Sequence, residues 1–396
     1  MQTVYRGLWY VWRRMEKKLS GLETGKHTGS GVADLVKQGV LADDVLYEIY
    51  FGNALAGTMS IMVEGYLYPL NELPVLDLSN PWWDQYAVKG LSMGGQNYIV
   101  TGDISPTSLL ISESILFNKK LLSDRNIEYP YDTVFDGTWT WDAFLALTKD
   151  LGEDLNGDSK INPKEDRMVY TGWHYDVCDA MFYGAGGTYT KKNEDDFPEL
   201  NFELEKYDNI YQKIGQLTNN EYAYVAVGNE NHELTFKIFA EGRSYFCGIQ
   251  FWKVDRFLRD MGDDFGVLPE PKYDESQERY MTSVQDHCPM IMVQNNLVNT
   301  ELVGTLLEAI AALNYDTISP KMYDVIAGTR NVRDEESVKV VDMIIRNRVF
   351  DIGMYLLDDY SRMLVTERKC ANIASFMAAQ EKKASKTLEK YSQIGD

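Results

Sequence analysis

The stretch Phe239 to Trp252, FAEGRSYFCGIQFW, decides the reading of this chain. Phe239 ends the apolar face of a short helix, and Gly242 breaks that helix. Ser244 to Cys247 reads as a short β-type segment. It delivers an exposed-looking pair, Phe251–Trp252, onto the next turn. Glycine, phenylalanine and tryptophan are also ordinary core residues, so the stretch by itself equally fits plain packing.

Composition sets the frame around it. At 396 residues the chain is too long for one comfortable core, so two domains are expected. Lys and Arg number 39 against 60 Asp and Glu, a net charge of −21. That balance excludes nucleic acid and an anionic membrane surface, both of which need a positive field. The 26 Tyr and 8 Trp fit core packing, and they also suit stacking on the apolar faces of sugar rings. Cys178, Cys247, Cys288 and Cys370 are scattered, with no CxxC and no disulfide framework. His27, His174, His232 and His287 show no metal-ligand spacing. No apolar run is long enough to span a membrane. The start, MQTVYRGLWYVWRRMEKK, mixes aromatic and basic residues and does not read as a secretory signal. Residues 5–18 carry a helical apolar spacing.

Further motifs follow in chain order. Gly65 to Pro74 reads GYLYPLNELP, and Leu78 to Asp84 places Trp82 and Trp83 after Pro81. Gly95 to Ser105, GQNYIVTGDIS, reads as a hairpin whose strand is Tyr98 to Thr101. Phe117-Asn118-Lys119 follows, where the Asn side chain can hold a crossover turn. Thr140 is an N-cap for a helix to about Lys149, with Asp142 in its first turn. Phe265 to Asp274, FGVLPEPKYD, is stiffened by Pro269 and Pro271 and leads towards the apolar strand Met290 to Val293. Glu301 to Leu313 is an amphipathic helix, and Arg333-Asp334-Glu335-Glu336-Ser337 opens another.

The loop Asp154 to Glu165, DLNGDSKINPKE, has EF-hand spacing. Oxygen-bearing side chains stand at loop positions 1, 3, 5, 9 and 12, and the Lys160 carbonyl stands at position 7. The metal set expected from this spacing is Asp154, Asn156, Asp158, Lys160 and Glu165, holding a structural Ca²⁺. Ser159 occupies the position where glycine is usual, and an acidic surface turn is the alternative.

Taken together, from about residue 40 onward, these motifs resemble the extracellular solute-binding proteins of family 1. These are the maltose-binding-protein-like, sugar-capturing components of ABC importers. The resemblance implies an α/β, two-lobed periplasmic-binding-protein-like fold of type II, with a hinge and a ligand cleft between the lobes. Lobe one is expected from residues 1–116 plus 286–330, and lobe two from 117–285 plus 331–396. The resemblance also implies that Trp252 faces the cleft. Trp173, His174, Tyr183, Trp83 and Asp103 are further candidate contacts, and each also fits a packing role. The implied partners are a carbohydrate, of oligosaccharide size, and a membrane permease. The implied state is a monomer without enzymatic activity, outside the cell and membrane-tethered. Family members begin with a leader, often lipidated, and a first strand of lobe one. Neither is found here, so the chain reads as N-terminally truncated and lobe one as missing that strand. A glycoside hydrolase, needing two well-placed carboxylates, and a remnant without transport function are the competing readings.

Overall fold

Alternation decides the smaller of the two sheets. In the run PMIMV, Ile291 and Val293 point to one face and Met290 and Met292 to the other. The first pair packs on Val303, Leu307 and Ala311 of the helix Thr300–Thr317. The second joins the larger core with Tyr50 and Met62.

The structure is a computed structural model that describes residues 30–45, 47–54, 57–201, 203–228, 231–327, 334–357 and 373–392. The helical spacing at 5–18, the front of the chain as a whole, Arg333 and Cys370 lie outside the described residues. In chain order the strands are β1 (Ile49–Asn53), β2 (Glu113–Asn118), β3 (Met168–Trp173), β4 (Thr190–Lys192), β5 (Pro198–Leu200), β6 (Ala223–Ala226), β7 (Ser244–Gln250), β8 (Phe265–Leu268), β9 (Thr282–Ser283), β10 (Pro289–Val293) and β11 (Arg348–Val349).

In the first lobe β1 pairs antiparallel with β10. The expected hairpin strand Tyr98–Thr101 is reduced to single bridges, Met93 to Gln96 and Val100 to Ile291. The second lobe holds a five-stranded sheet of order β6-β3-β7-β2-β8. β3 runs parallel to β6 and β7, while β2 is antiparallel to both its neighbours, β7 and β8. Every residue of β2 and β7 is buried, as expected for strands covered on both faces. The helices His174–Gly184, His232–Ala240 and Glu335–Arg346 pack on this sheet.

β2 is the chain's passage from the first lobe into the second, and Asn118 at its end caps the helix Lys119–Asp124 by accepting from the Leu121 amide at 3.0 Å. The return passage lies beside it. Ser112 bridges to Val284, and β9 pairs in parallel with β11, so three stretches of chain run together between the lobes. The boundary expected after residue 116 falls inside β2. Lobe two also gains the helix Ile373–Tyr391, which packs on β5 and on the helix Leu204–Thr218.

The opening stretch is longer and more regular than its sequence suggests. Gly242 does end the helix His232–Ala240, with φ at 70°. The strand, however, continues three residues past Cys247 to Gln250, and Phe251 and Trp252 form the first turn of the helix Phe251–Phe257 rather than an open turn. Phe251 is buried.

Gly248, in the middle of β7, leaves room for the helix behind it. A Cβ there would sit 2.2 Å from Tyr170 Oη and 2.4 Å from Val177 Cγ1. Gly248→Ala is expected to destabilise the protein by about 1–3 kcal/mol through overpacking. Urea unfolding measures this, and a variant as stable as the wild type would mean that the two layers separate freely.

Candidate functional site

The strand order places the site. The chain leaves β3, adds β6 on one side, and then returns to add β7 on the other. The order therefore reverses at β3, and the crevice at the carboxyl ends of β3 and β7 is where an open α/β sheet receives a ligand. Trp173 is the last residue of β3, and Trp252 stands two residues past the end of β7. Both indoles are half-buried. Trp173 and Trp252 thus stand at one edge, brought together by the parallel pairing of β3 with β7.

Their ring N–H groups are already engaged. Trp173 Nε1 donates to the Gly228 carbonyl at 2.7 Å, and Trp252 Nε1 donates to Gln250 Oε1 at 2.6 Å. The polar edges of both indoles are therefore satisfied within the protein. His232 lies against the Trp173 ring, with centroids 5.0 Å apart.

A buried polar layer lies under the two rings. Lys253 is 2% exposed and pairs with Asp176, which is 0% exposed. The Lys253 ammonium stands 4.7 Å from the Trp173 ring centroid and 5.3 Å from that of Trp252. Asp176 also accepts from Gln285 Nε2 at 3.1 Å, on the return passage. Gln250 Nε2 donates to Glu113 Oε1 at 2.8 Å, at the start of the outgoing passage. Burial raises the carboxyl of Glu113 well above the ordinary range, with the Asp176 charge adding to it. Burial also pushes Asp176 upward, against the pull of Lys253. Exposed His287 is raised by its bond to Asp286.

The remaining expected contacts fall elsewhere. Tyr183 is fully buried, because the helix His174–Gly184 turns it into the lobe, where its hydroxyl donates to Asp351 Oδ2 at 3.0 Å. Trp83 is buried in the first lobe and donates from Nε1 to Glu308 at 3.1 Å, while its neighbour Trp82 is the half-buried one. Asp103 accepts from the Ser319 hydroxyl, and its carbonyl accepts from Asn314 Nδ2 at 2.8 Å, so it braces two helices. His174 is buried, with Nδ1 at 3.1 Å from the Ala226 carbonyl. These four are packing residues in this structure. Glu113, Asp176, Gln250, Lys253 and Gln285 were not expected. Only Gln250 and Lys253 lie within reach of a motif, and nothing in their own types marks them.

The EF-hand-like loop is wound as its spacing requires in one respect. Ser159 takes the left-handed backbone, φ 62°, and its amide donates to Asp154 Oδ2 at 2.8 Å. The loop's other donors also turn inward, with Asn156 and Asn162 both donating to Glu165 Oε2 at 3.3 and 3.0 Å. Among the described residues no group of three or more His, Cys, Asp or Glu side chains converges as a metal set.

With this geometry in hand, solved structures can be compared. The fold is shared with the galacto-N-biose-/lacto-N-biose I-binding protein of an ABC transporter from Bifidobacterium longum, in complex with lacto-N-biose: TM-score 0.62, 11% identity, 93% of this chain and 88% of that one. It is shared with the maltose/maltodextrin-binding domain from Bdellovibrio bacteriovorus bound to maltotriose: TM-score 0.53, 15% identity, 98% and 95%. It is shared also with UgpB from Mycobacterium tuberculosis in complex with glycerophosphocholine: TM-score 0.57, 14% identity, 96% and 91%. The chain has the two-lobed α/β fold of these binding proteins. No protein-family model matches it, and no curated protein does.

One buried group near this layer titrates in an accessible range. Both carboxylate oxygens of Glu270 are buried and lack a hydrogen-bond partner among the described residues, and burial pushes the carboxyl from 4.5 up to about 8. Between those values the folded protein keeps a proton that the unfolded chain releases, so stability falls as pH rises through the window. The slope is at most about 1.4 kcal/mol per pH unit. The melting temperature is expected to drop from about pH 5 to about pH 8, and Glu270→Gln to remove most of that drop. A profile unaltered by the substitution would show that Glu270 ionises freely in the folded state.

Proposed function

We propose that the protein is a solute-binding protein that captures a carbohydrate of oligosaccharide size and presents it to the membrane permease of an ABC importer. It works outside the cell, as a monomer, by binding and release rather than by covalent chemistry. One observation carries the reading: Trp173 and Trp252, both half-buried and with their N–H groups engaged within the protein, flank the reversal point of the second lobe's sheet. A flat indole face suits the C–H-rich face of a pyranose, while hydroxyls find partners among surrounding polar groups. The shared fold with proteins bound to lacto-N-biose and maltotriose supports the carbohydrate class. Glu113 and Glu270, the carboxylates on β2 and after β8, are both buried, which gives the hydrolase reading no accessible acid pair there. Incubation with oligosaccharides tests the reading: a rise in melting temperature without products supports it, and turnover overturns it.

Trp252→Ala is expected to weaken oligosaccharide binding by about 2 kcal/mol, roughly thirtyfold. Isothermal titration of wild type and variant measures this. Equal affinities would assign Trp252 to packing alone.

The loop Asp154–Glu165 is proposed as a structural Ca²⁺ site, with Asp154, Asn156, Asp158, the Lys160 carbonyl and Glu165 as ligands. Its bend at Ser159 supports this. A chelator is expected to lower the melting temperature of the wild type, and Glu165→Ala to abolish that sensitivity. Indifference of the wild type to chelator makes the loop an ordinary turn.

A further inference from the structure

The space between the two indoles is occupied from below by the protein's own cation. Lys253 presents its ammonium to three ring faces, at 4.7 Å from Trp173, 5.3 Å from Trp252 and 5.5 Å from Phe236. A buried ammonium is costly unless it is paired and surrounded by compensating electron density, and Asp176 with the rings supplies both. The pair is then tied to both passages between the lobes. Asp176 holds Gln285, one residue past the Ser112–Val284 bridge, and Trp252 holds Gln250, which holds Glu113, one residue past the other end of that bridge. Each indole is therefore connected through side chains to the hinge: Trp252 through Gln250 and Glu113, and Trp173 through Lys253, Asp176 and Gln285.

We infer that Lys253 is the positioning residue of the aromatic pair, and that its neutralised ammonium, filling the cationic place between the rings, restricts the site to uncharged saccharides. This rests on the carbohydrate reading above and narrows it. A cationic head group would have to displace Lys253 from the ring faces. An anionic one would meet Asp176, which already takes up the single ammonium. Lys253 and Asp176 are separated by 77 residues in sequence and joined only by the meeting of β3 and β7.

The test uses the full chain, three probes and two variants. Lactose-sized and larger uncharged sugars are represented by lacto-N-biose and maltotriose, and a solute that carries both a quaternary ammonium and a phosphodiester anion by glycerophosphocholine. In the wild type an uncharged sugar is expected to raise the melting temperature and glycerophosphocholine to leave it unchanged. Lys253→Met combined with Asp176→Asn removes both charges and leaves neither buried alone. It is expected to change the near-ultraviolet circular dichroism of the tryptophans as much as Trp173→Phe with Trp252→Phe does, and to weaken sugar binding about tenfold. Lys253→Arg keeps the ion pair in a bulkier head. It is expected to shift the same tryptophan signal while partly restoring affinity, and its thermal unfolding, followed alongside, separates a shifted signal from a lost fold. Wild-type spectra and affinities in these variants overturn the role of Lys253 while leaving the carbohydrate reading intact. Binding of glycerophosphocholine as tight as that of the sugars overturns the restriction to uncharged ligands. If neither sugar binds, the carbohydrate reading is weakened, and the tryptophan spectra alone then decide the positioning role: unchanged spectra overturn it.

Discussion

The structure depends on one insertion. β2 leaves the first lobe and enters the second lobe's sheet between β7 and β8, antiparallel to both, with Glu113 opposite Gln250 and Ile115 opposite Leu268. All six of its residues are buried. Without this strand β7 and β8 would each expose a row of unpaired backbone groups. With it, the second lobe can close only when the chain coming from the first lobe is in register. The three passages between the lobes then lie side by side, because Ser112 bridges Val284 and β9 pairs with β11.

That register also fixes what stands at the sheet's carboxyl edge. A β2 that slipped by one residue would turn Glu113 to the other face, away from Gln250. In the observed register they share a hydrogen bond, and Gln250 in turn holds the Trp252 indole. The second half of the layer, Asp176 with Lys253, comes from the helices that follow β3 and β7. Replacing such a buried ion pair with apolar residues often stabilises a protein, so the pair is poor evidence for stability and better evidence for a positioned site. Here it holds two ring faces in fixed relation at the carboxyl edge of the sheet.

The positions that became helix starts were legible because their chemistry is local. Thr140 accepts from the Ala143 amide, Asn118 from Leu121 and Asp334 from Ser337, each within three residues of itself. Gly242 ended its helix for the same kind of reason. For Tyr183, Trp83, His174 and Asp103 the sequence left contact and packing both open, because a residue type says nothing about which way a helix or loop turns it. Tyr183 faces Asp351, which is 168 residues away, and Trp83 faces Glu308, which is 225 residues away.

The sequence by itself determined the local elements, because caps, breakers and apolar periods act over a few residues, and the order of its motifs carried the resemblance that implied the two-lobed α/β fold. It also marked the two tryptophans that stand at the carboxyl ends of β3 and β7, through the strand and the glycine-led stretch that carry them. The tertiary structure alone decided the layer beneath them. Glu113, Asp176, Gln250, Lys253 and Gln285 come from distant parts of the chain: β3 beside β7 brings Asp176 to Lys253, and β2 beside β7 brings Glu113 to Gln250. Burial is what gives these groups their meaning. A lysine in water is a solvated charge, whereas Lys253, out of water, must have Asp176 on one side and ring faces on the others.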